Sequence, residues 1–95
     1  MLASLLRKHR KRILELAKQH GVEKVRLFGS VVRGEDTETS DIDFLIELAP
    51  GRSLLDRIAF IQDMEDLLGR KVDAVTLPGI HETFRDHILA EAAPL

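Results

Sequence analysis

Apolar residues recur at helical spacing along the first twenty residues, and a glycine follows them. The stripe consists of Leu2, Leu6, His9, Ile13, Leu16 and His20. This spacing predicts a helix from about Ala3 to His20, with Gly21 as its stop signal. The next segment, Val22 to Phe28, is predicted to be a strand, with Val25 and Leu27 on one face.

Two further strands and two further helices are predicted downstream. Asp41 to Leu48 and Lys71 to Thr76 read as strands, Leu54 to Leu68 as a helix capped by Ser53, and Ile80 to Ala93 as a last helix. The predicted apolar stripe of the helix after Ser53 is Leu54, Ile58, Ile61, Met64 and Leu68. The stripe of the last helix is Ile80, Phe84, Ile88 and Ala92.

The order of these elements predicts an α/β (α+β) fold in one domain, residues 1–95. The link between the second and third strands contains a helix, as a parallel crossover requires. We therefore expect a small mixed sheet with helices on one face. The opposite face carries the polar strand residues and is expected to be open to solvent.

A polar segment joins the first two strands, reading GSVVRGEDTETSDID from Gly29 to Asp43. Asp41 and Asp43 would share one face of a strand, roughly 6.6 Å apart at Cα. Carboxylate oxygens bind hard divalent cations, and Asp73 is a third acidic residue in a later strand. A turn at Gly29 and Ser30 can present N–H groups to a phosphate. A metal site facing a phosphate site suggests phosphoryl or nucleotidyl transfer.

Other familiar sites do not fit these residues. No Gly-Lys-Ser/Thr follows the Gly-Ser turn, so it is not a Walker A loop. An EF-hand frame over the acidic loop places Asp41 where a glycine is needed. His81 and His87 are six residues apart, a spacing that does not bring ligands together on a helix. No Ser-His-acid arrangement is apparent that would make Ser30 a nucleophile.

Composition narrows the class of protein further. The chain has 95 residues, a net charge of −2 and no cysteine. The charge argues against a general nucleic-acid binder, and the absence of cysteine suits a reducing compartment. No apolar run approaches the length of a membrane span, so we expect a cytoplasmic protein. The basic run from Arg7 to Arg12 is interpreted as a solvated helix face, with a partner surface and then RNA as the alternatives.

The motif resembles a known signature. Gly29-Ser30, ten further residues and Asp41-Ile42-Asp43 match the GS-x10-DxD pattern of the DNA polymerase β-like nucleotidyltransferase superfamily. With Arg33-Gly34 and Ser40 in so short a chain, the sequence is similar to the minimal nucleotidyltransferases, including the MntA-like antitoxins of HEPN/MNT toxin–antitoxin systems. The resemblance covers nearly the whole chain.

The resemblance implies a polymerase β-like palm fold, a site for two Mg²⁺ ions and a nucleotide triphosphate, ATP, as substrate. It implies that Asp41 and Asp43 bind the metals and are catalytic. Asp73 is the match for the third carboxylate, although no fixed spacing defines it. Gly29 and Ser30 would hold the triphosphate. Arg33 is a candidate phosphate contact or a brace for the acidic loop.

The resemblance also implies a partner. Members of this antitoxin group transfer AMP from ATP to a tyrosine of a HEPN ribonuclease toxin. This chain has no tyrosine and no tryptophan, so stacking platforms for single-stranded nucleic acid are scarce. We expect the acceptor on another macromolecule, in a hetero-oligomer. The alternatives are a non-catalytic antitoxin that neutralises its partner by binding, and a nucleotidyltransferase acting on RNA or a small molecule.

Overall fold

The computed structural model describes residues 2–37, 39–79 and 82–95. The helices are α1 (Leu2–Lys8), α2 (Arg10–Gln19), α3 (Ser30–Arg33), α4 (Leu54–Leu68) and α5 (Glu82–Glu91), with a 3₁₀ turn at Leu77–Gly79. The strands are β1 (Val22–Phe28), β2 (Ile42–Leu48), β3 (Val72–Val75) and β4 (Ala93–Pro94). In the part of the chain so described, no helix is both long enough and apolar enough to span a membrane.

The strands form one mixed sheet in the order β3-β2-β1-β4. β1 pairs antiparallel with β2, while β2 pairs parallel with β3. The parallel pair is connected through α4, as the crossover argument predicts. The predicted α/β class and mixed sheet are therefore confirmed.

One face of the sheet packs against the helices and forms the core. Alternate residues of β2 and β3 supply this face because side chains alternate across a strand. They are Ile42, Phe44, Ile46, Val72 and Ala74, all buried. The opposite face is less open than predicted, since Leu45 is only 3% exposed. Asp43, Glu47 and Asp73 on that face keep access to solvent.

The first helix is divided, which the sequence pattern did not predict. His9 separates α1 from α2, with a backbone (φ −101°, ψ 8°) outside the helical region. The break lies within the run of cations from Arg7 to Arg12, where like charges three and four residues apart disfavour a continuous helix. Both helices still contribute buried residues, such as Leu6 and Ile13.

The predicted stripe of α4 faces the core in the second half of the helix, where Ile61 packs against it, but not in the first half. Phe60, Met64 and Leu68 are buried, whereas Leu54 and Ile58 are 58% and 41% exposed. At 100° per residue, these two lie about 80° and 120° around the helix from Met64. The buried face therefore includes Phe60, whose ring packs edge-to-face on Phe44 with centroids 5.9 Å apart.

The last helix ends two residues before the predicted end at Ala93, and a strand follows it. α5 spans Glu82–Glu91 and contains no fully buried residue; the predicted start, at Ile80, lies outside the described residues. Ala93 and Pro94 leave the helix and pair with Leu27 and Arg26 of β1. Proline suits an edge strand because it cannot donate a ladder hydrogen bond.

The start of α4 is fixed by a capping box. The Ser53 hydroxyl accepts the Leu55 N–H at 3.3 Å, and the Asp56 carboxylate accepts the Ser53 N–H at 2.8 Å. Ser53→Ala should lower the free energy of unfolding by about 1 kcal/mol, measured by urea denaturation at pH 7. Ser4→Ala, at an exposed position of α1, is the matched control and should change it by less than about 0.5 kcal/mol.

The same cap predicts a dependence of stability on pH. The backbone hydrogen bond from Ser53 lowers the pKa of Asp56, with a smaller contribution from Arg52. A lowered pKa means that this carboxylate stabilises the fold at neutral pH, and that the effect is lost as pH falls through the lowered pKa. Asp56→Asn should therefore reduce stability at pH 7 and lose this difference in acid. An equal difference at both pH values would contradict the assignment.

Candidate functional site

The Gly-Ser turn joins β1 directly to α3. Gly29 has a positive φ of 80° and caps α3, with its carbonyl accepting the Val32 N–H at 3.1 Å. Ser30 is the first residue of α3. A Cβ on Gly29 would lie 2.4 Å from Oδ2 of Asp43. The close approach of the turn to that carboxylate therefore requires glycine.

Asp43 and Asp73 are neighbours across the sheet. They are register partners in the parallel pairing of β2 with β3, so their Cα atoms are about 4.8 Å apart. Asp41 precedes β2 and is exposed; its position two residues before Asp43 places it on the same side of the chain. Asp43 and Asp73 thus lie side by side in the sheet, and Asp41 lies just before β2 begins.

The charges of these residues act on one another. Burial raises the pKa of the Asp43 carboxyl, and repulsion from Asp73 and Asp41 raises it further. Arg33 opposes this effect by lowering the pKa, and Glu91 adds to the rise. Asp43 is therefore a carboxylate at which negative charge is costly, and a cation bound there would offset that cost.

The oxygen atoms of Asp41, Asp43 and Asp73 suit a hard cation, although these side chains do not converge on a single point. Over residues 2–37, 39–79 and 82–95, no three His, Cys, Asp or Glu side chains converge in an arrangement that could hold a metal ion. Asp41, Asp43 and Asp73 offer only carboxylate oxygens, the ligands that Mg²⁺ prefers. The mutual repulsion that raises the Asp43 pKa also fits a cation between them. Their roles as metal ligands stay predictions.

Arg33 lies at the end of α3, between two carboxylates. Its Nε donates to Oε1 of Glu35 at 2.6 Å, and its Nη1 donates to Oε1 of Glu91. These hydrogen bonds raise the pKa of the guanidinium, that to Glu35 more than that to Glu91. The contact with Glu35 is the predicted brace of the acidic loop. The predicted phosphate contact is untested.

Two acidic residues of this region were missed by sequence reasoning. Glu91 contacts Arg33 from 58 residues away, and Asp36 accepts the Leu2 N–H at 3.1 Å from 34 residues away. Asp36 is only 8% exposed and attaches the acidic loop to the start of α1. A carboxylate at a helix start is favourable, but no local sequence pattern predicts that Asp36 contacts a residue so distant in sequence.

The basic run lies on the exposed surface of α1 and α2. Arg7, Lys8, Arg10 and Lys11 are exposed, and Arg12 pairs with Glu15 at 3.3 Å, which fits the predicted solvated face. The side chain of His87 is 76% exposed and lies 3.9 Å from Glu91. His81 lies outside the described residues.

Curated relatives cover most of the chain. A candidate protein adenylyltransferase of Methanocaldococcus jannaschii is 42% identical over 83 residues, which are 87% of this chain and 89% of that protein. The protein adenylyltransferase MntA of Thermococcus cleftensis is 37% identical over 90 residues, which are 95% of this chain and 88% of that one.

Solved structures share the fold. A candidate minimal nucleotidyltransferase superposes with a TM-score of 0.85 and 44% identity, over 95% of this chain and 92% of the other. A chain from the complex of the tri-AMPylated Shewanella oneidensis HEPN toxin with its MNT antitoxin gives a TM-score of 0.69, over 93% of this chain and 69% of the other. At 19% identity, the second likeness concerns the fold alone.

The nucleotidyltransferase domain family matches residues 6–95, nearly the entire sequence. This match confirms the predicted resemblance and the predicted class of enzyme. The chain belongs to the nucleotidyltransferase domain family.

Proposed function

We propose that this protein transfers AMP from ATP to a hydroxyl group of a partner protein, and that the partner is a HEPN-type toxin. The observation that carries the proposal is the approach of Gly29 to Asp43, where a Cβ would lie 2.4 Å from the carboxylate oxygen. The turn that would hold the triphosphate thereby contacts the carboxylate that would bind its metal. The MntA relative, at 37% identity over 95% of this chain, supports the same reaction.

Asp41, Asp43 and Asp73 would hold Mg²⁺, as two ions in the arrangement that the family resemblance implies. Mg²⁺ bound there supplies neutralisation of the triphosphate charge and activation of the acceptor oxygen. Asp43 and Asp73 are register partners in the sheet, so two of these carboxylates would already be side by side in the absence of ligand. Such preorganisation matters because phosphoryl-type transfer depends mainly on positioning and charge neutralisation.

The nucleotide would lie along the turn between β1 and α3. The first N–H groups of a helix have no intrahelical acceptor, and the Ser30 hydroxyl adds another donor. Arg33 would contact the phosphates. The acceptor oxygen attacks the α-phosphorus, pyrophosphate leaves from the opposite side, and the acceptor's proton is lost; Asp73 is the residue we assign to help remove it.

The acceptor must come from outside this chain if it is a tyrosine, because the sequence contains none. This observation favours transfer to another macromolecule over self-modification. A complex of the MNT antitoxin with the tri-AMPylated HEPN toxin in Shewanella oneidensis provides a precedent with the same fold. We infer that the partner is the product of an adjacent gene.

The test is incubation of the purified protein with α-labelled ATP, Mg²⁺ and the HEPN-type product of the neighbouring gene. Label should appear on the partner and should disappear when Mg²⁺ is chelated. Label absent from the partner, with a sample shown to be folded by circular dichroism, would overturn the proposal.

A second candidate function is neutralisation by binding alone. It is favoured by the finding that no three metal-ligating side chains converge within the described part of the chain. The variant Asp41→Asn with Asp43→Asn separates the two functions at equal expression. Neutralisation that survives both substitutions supports binding, whereas a complex that forms without neutralising supports catalysis.

A further inference from the structure

The Arg33 side chain is held by two carboxylates of unequal exposure. The Glu91 side chain is 12% exposed and that of Glu35 is 62% exposed. An ion pair in water is weak because solvent screens it, whereas one that is largely removed from water is stronger. Glu91 is therefore the partner whose contact with the guanidinium is less screened by solvent.

Glu91 is itself anchored to the strand that leads into the Gly-Ser turn. It is the last residue of α5, and Ala93, two residues later, pairs with Leu27 of β1. Leu27 precedes Gly29 by two residues. The carboxylate that holds Arg33 and the turn that would hold phosphate are thus fixed to the same strand.

Both members of this pair also lie near the candidate metal ligands. Arg33 is the last residue of α3, the short helix that begins at the Gly-Ser turn, and that turn approaches Asp43 closely. A guanidinium has more N–H groups than the contacts to Glu35 and Glu91 use. The remaining N–H groups are available to an anionic ligand at the turn.

We propose that Glu91 is a positioning residue for the nucleotide, which holds the Arg33 guanidinium so that its remaining N–H groups face the triphosphate. The inference rests on the proposed function, because it assumes that ATP binds at the Gly-Ser turn. A guanidinium fixed in advance loses less conformational freedom on binding than a mobile one. Glu91 therefore strengthens binding through Arg33, although its own charge repels phosphate.

Because Glu91 helps binding through Arg33 but repels phosphate directly, a double-mutant cycle can distinguish the two effects on ATP affinity. In the native background, Glu91→Gln frees Arg33 and should weaken ATP binding. In an Arg33→Ala background, the Glu91 carboxylate has lost its guanidinium partner and lies near the triphosphate. Glu91→Gln should then leave ATP binding unchanged or strengthen it, so the effect of one substitution changes sign with the other.

The experiment is isothermal titration calorimetry of ATP with Mg²⁺ against the native protein, Glu91→Gln, Arg33→Ala and the double variant. Glu91→Gln should raise the Kd for ATP about tenfold, as expected for a charge-assisted contact. The Kd for AMP, which lacks the β and γ phosphates, should be unchanged. Glu35→Gln is the matched control, with an expected change below about twofold because its carboxylate is exposed.

The outcomes separate this inference from the proposed function. A native protein that does not bind ATP in the presence of Mg²⁺ contradicts both. A native protein that binds ATP, with Glu91→Gln binding equally well or weakened alike in both Arg33 backgrounds, overturns the positioning role alone. If Glu91→Gln fails to fold by circular dichroism, Glu91→Asp, which keeps the charge, is titrated instead. A smaller loss of ATP affinity in Glu91→Asp than in Arg33→Ala supports the role, and an equal or larger loss contradicts it.

Discussion

Replacing Asp43 with asparagine should abolish AMP transfer and, at the same time, make the protein more stable. Burial and repulsion from Asp73 and Asp41 raise the pKa of Asp43, so its charged form is disfavoured in the folded state. We expect transfer to fall by about 1000-fold or more, since metal-ligand chemistry contributes several kcal/mol to such reactions. The free energy of unfolding should rise, because asparagine carries no charge to bury or to be repelled by Asp73 and Asp41.

The sign of the pH dependence follows from the raised pKa. The folded protein binds the Asp43 proton more tightly than the unfolded chain, so this group lowers stability as pH rises from its ordinary pKa through the raised value. Above the raised pKa the cost is complete. The advantage of Asp43→Asn should therefore be largest at neutral pH and should vanish in acid, as measured by urea denaturation without divalent cations.

Asp56→Asn is the matched control for this experiment. It is the same chemical change at a carboxylate whose pKa is lowered, so it should destabilise the protein where Asp43→Asn stabilises it. Transfer activity in Asp56→Asn should scale with the folded fraction only. Retention of full transfer by Asp43→Asn, or loss of stability at pH 7, would contradict the role assigned to Asp43.

Gly29→Ala should damage both the fold and the site. The new Cβ would lie 2.4 Å from Oδ2 of Asp43, and the backbone has a φ of 80°, a region unfavourable for alanine. The carboxylate must move or the turn must shift. We expect a loss of about 2–4 kcal/mol in unfolding free energy and on the order of a 100-fold loss in transfer, because misplacement by about 1 Å costs that much.

Gly34→Ala measures the cost of alanine at a positive φ without a steric contact. Gly34 also has a positive φ, 71°, but no atom lies within 4 Å of the position of its Cβ. It should lose only the conformational part, about 1–2 kcal/mol, and keep transfer within a few-fold. Equal losses of activity in the two variants would mean that backbone strain, rather than contact with Asp43, explains the requirement for glycine at position 29.

The parts of the site that the sequence predicts are those encoded locally. The Gly-Ser turn and the Asp41/Asp43 pair lie in one segment, and the alternation of strand side chains places both aspartates on one face. Asp73 was recognisable because an acidic residue interrupts an apolar strand. The pairing of Asp73 with Asp43 could not be predicted from the sequence, because strand pairing depends on contacts across the crossover.

The remaining features depend on distant contacts. Glu91 reaches Arg33 only because β4 returns the chain to β1, and a two-residue strand leaves no periodic pattern. Only the start of the α4 stripe was predicted wrongly: several apolar residues compete on that helix, and the core takes Phe60, which packs on Phe44, rather than Leu54 and Ile58. The break at His9 reflects repulsion between neighbouring cations, which a hydrophobic stripe does not register.

Because of the crossover between β2 and β3, the two paired carboxylates of the candidate site form only when the sheet is complete. Asp43 and Asp73 come from strands separated by all of α4, so they meet only after the helix has formed and the chain has returned to the sheet. Such non-local pairing forms slowly. A partly folded chain therefore lacks the paired carboxylates, and any substitution that lowers the folded population in a cell lowers active enzyme in the same proportion.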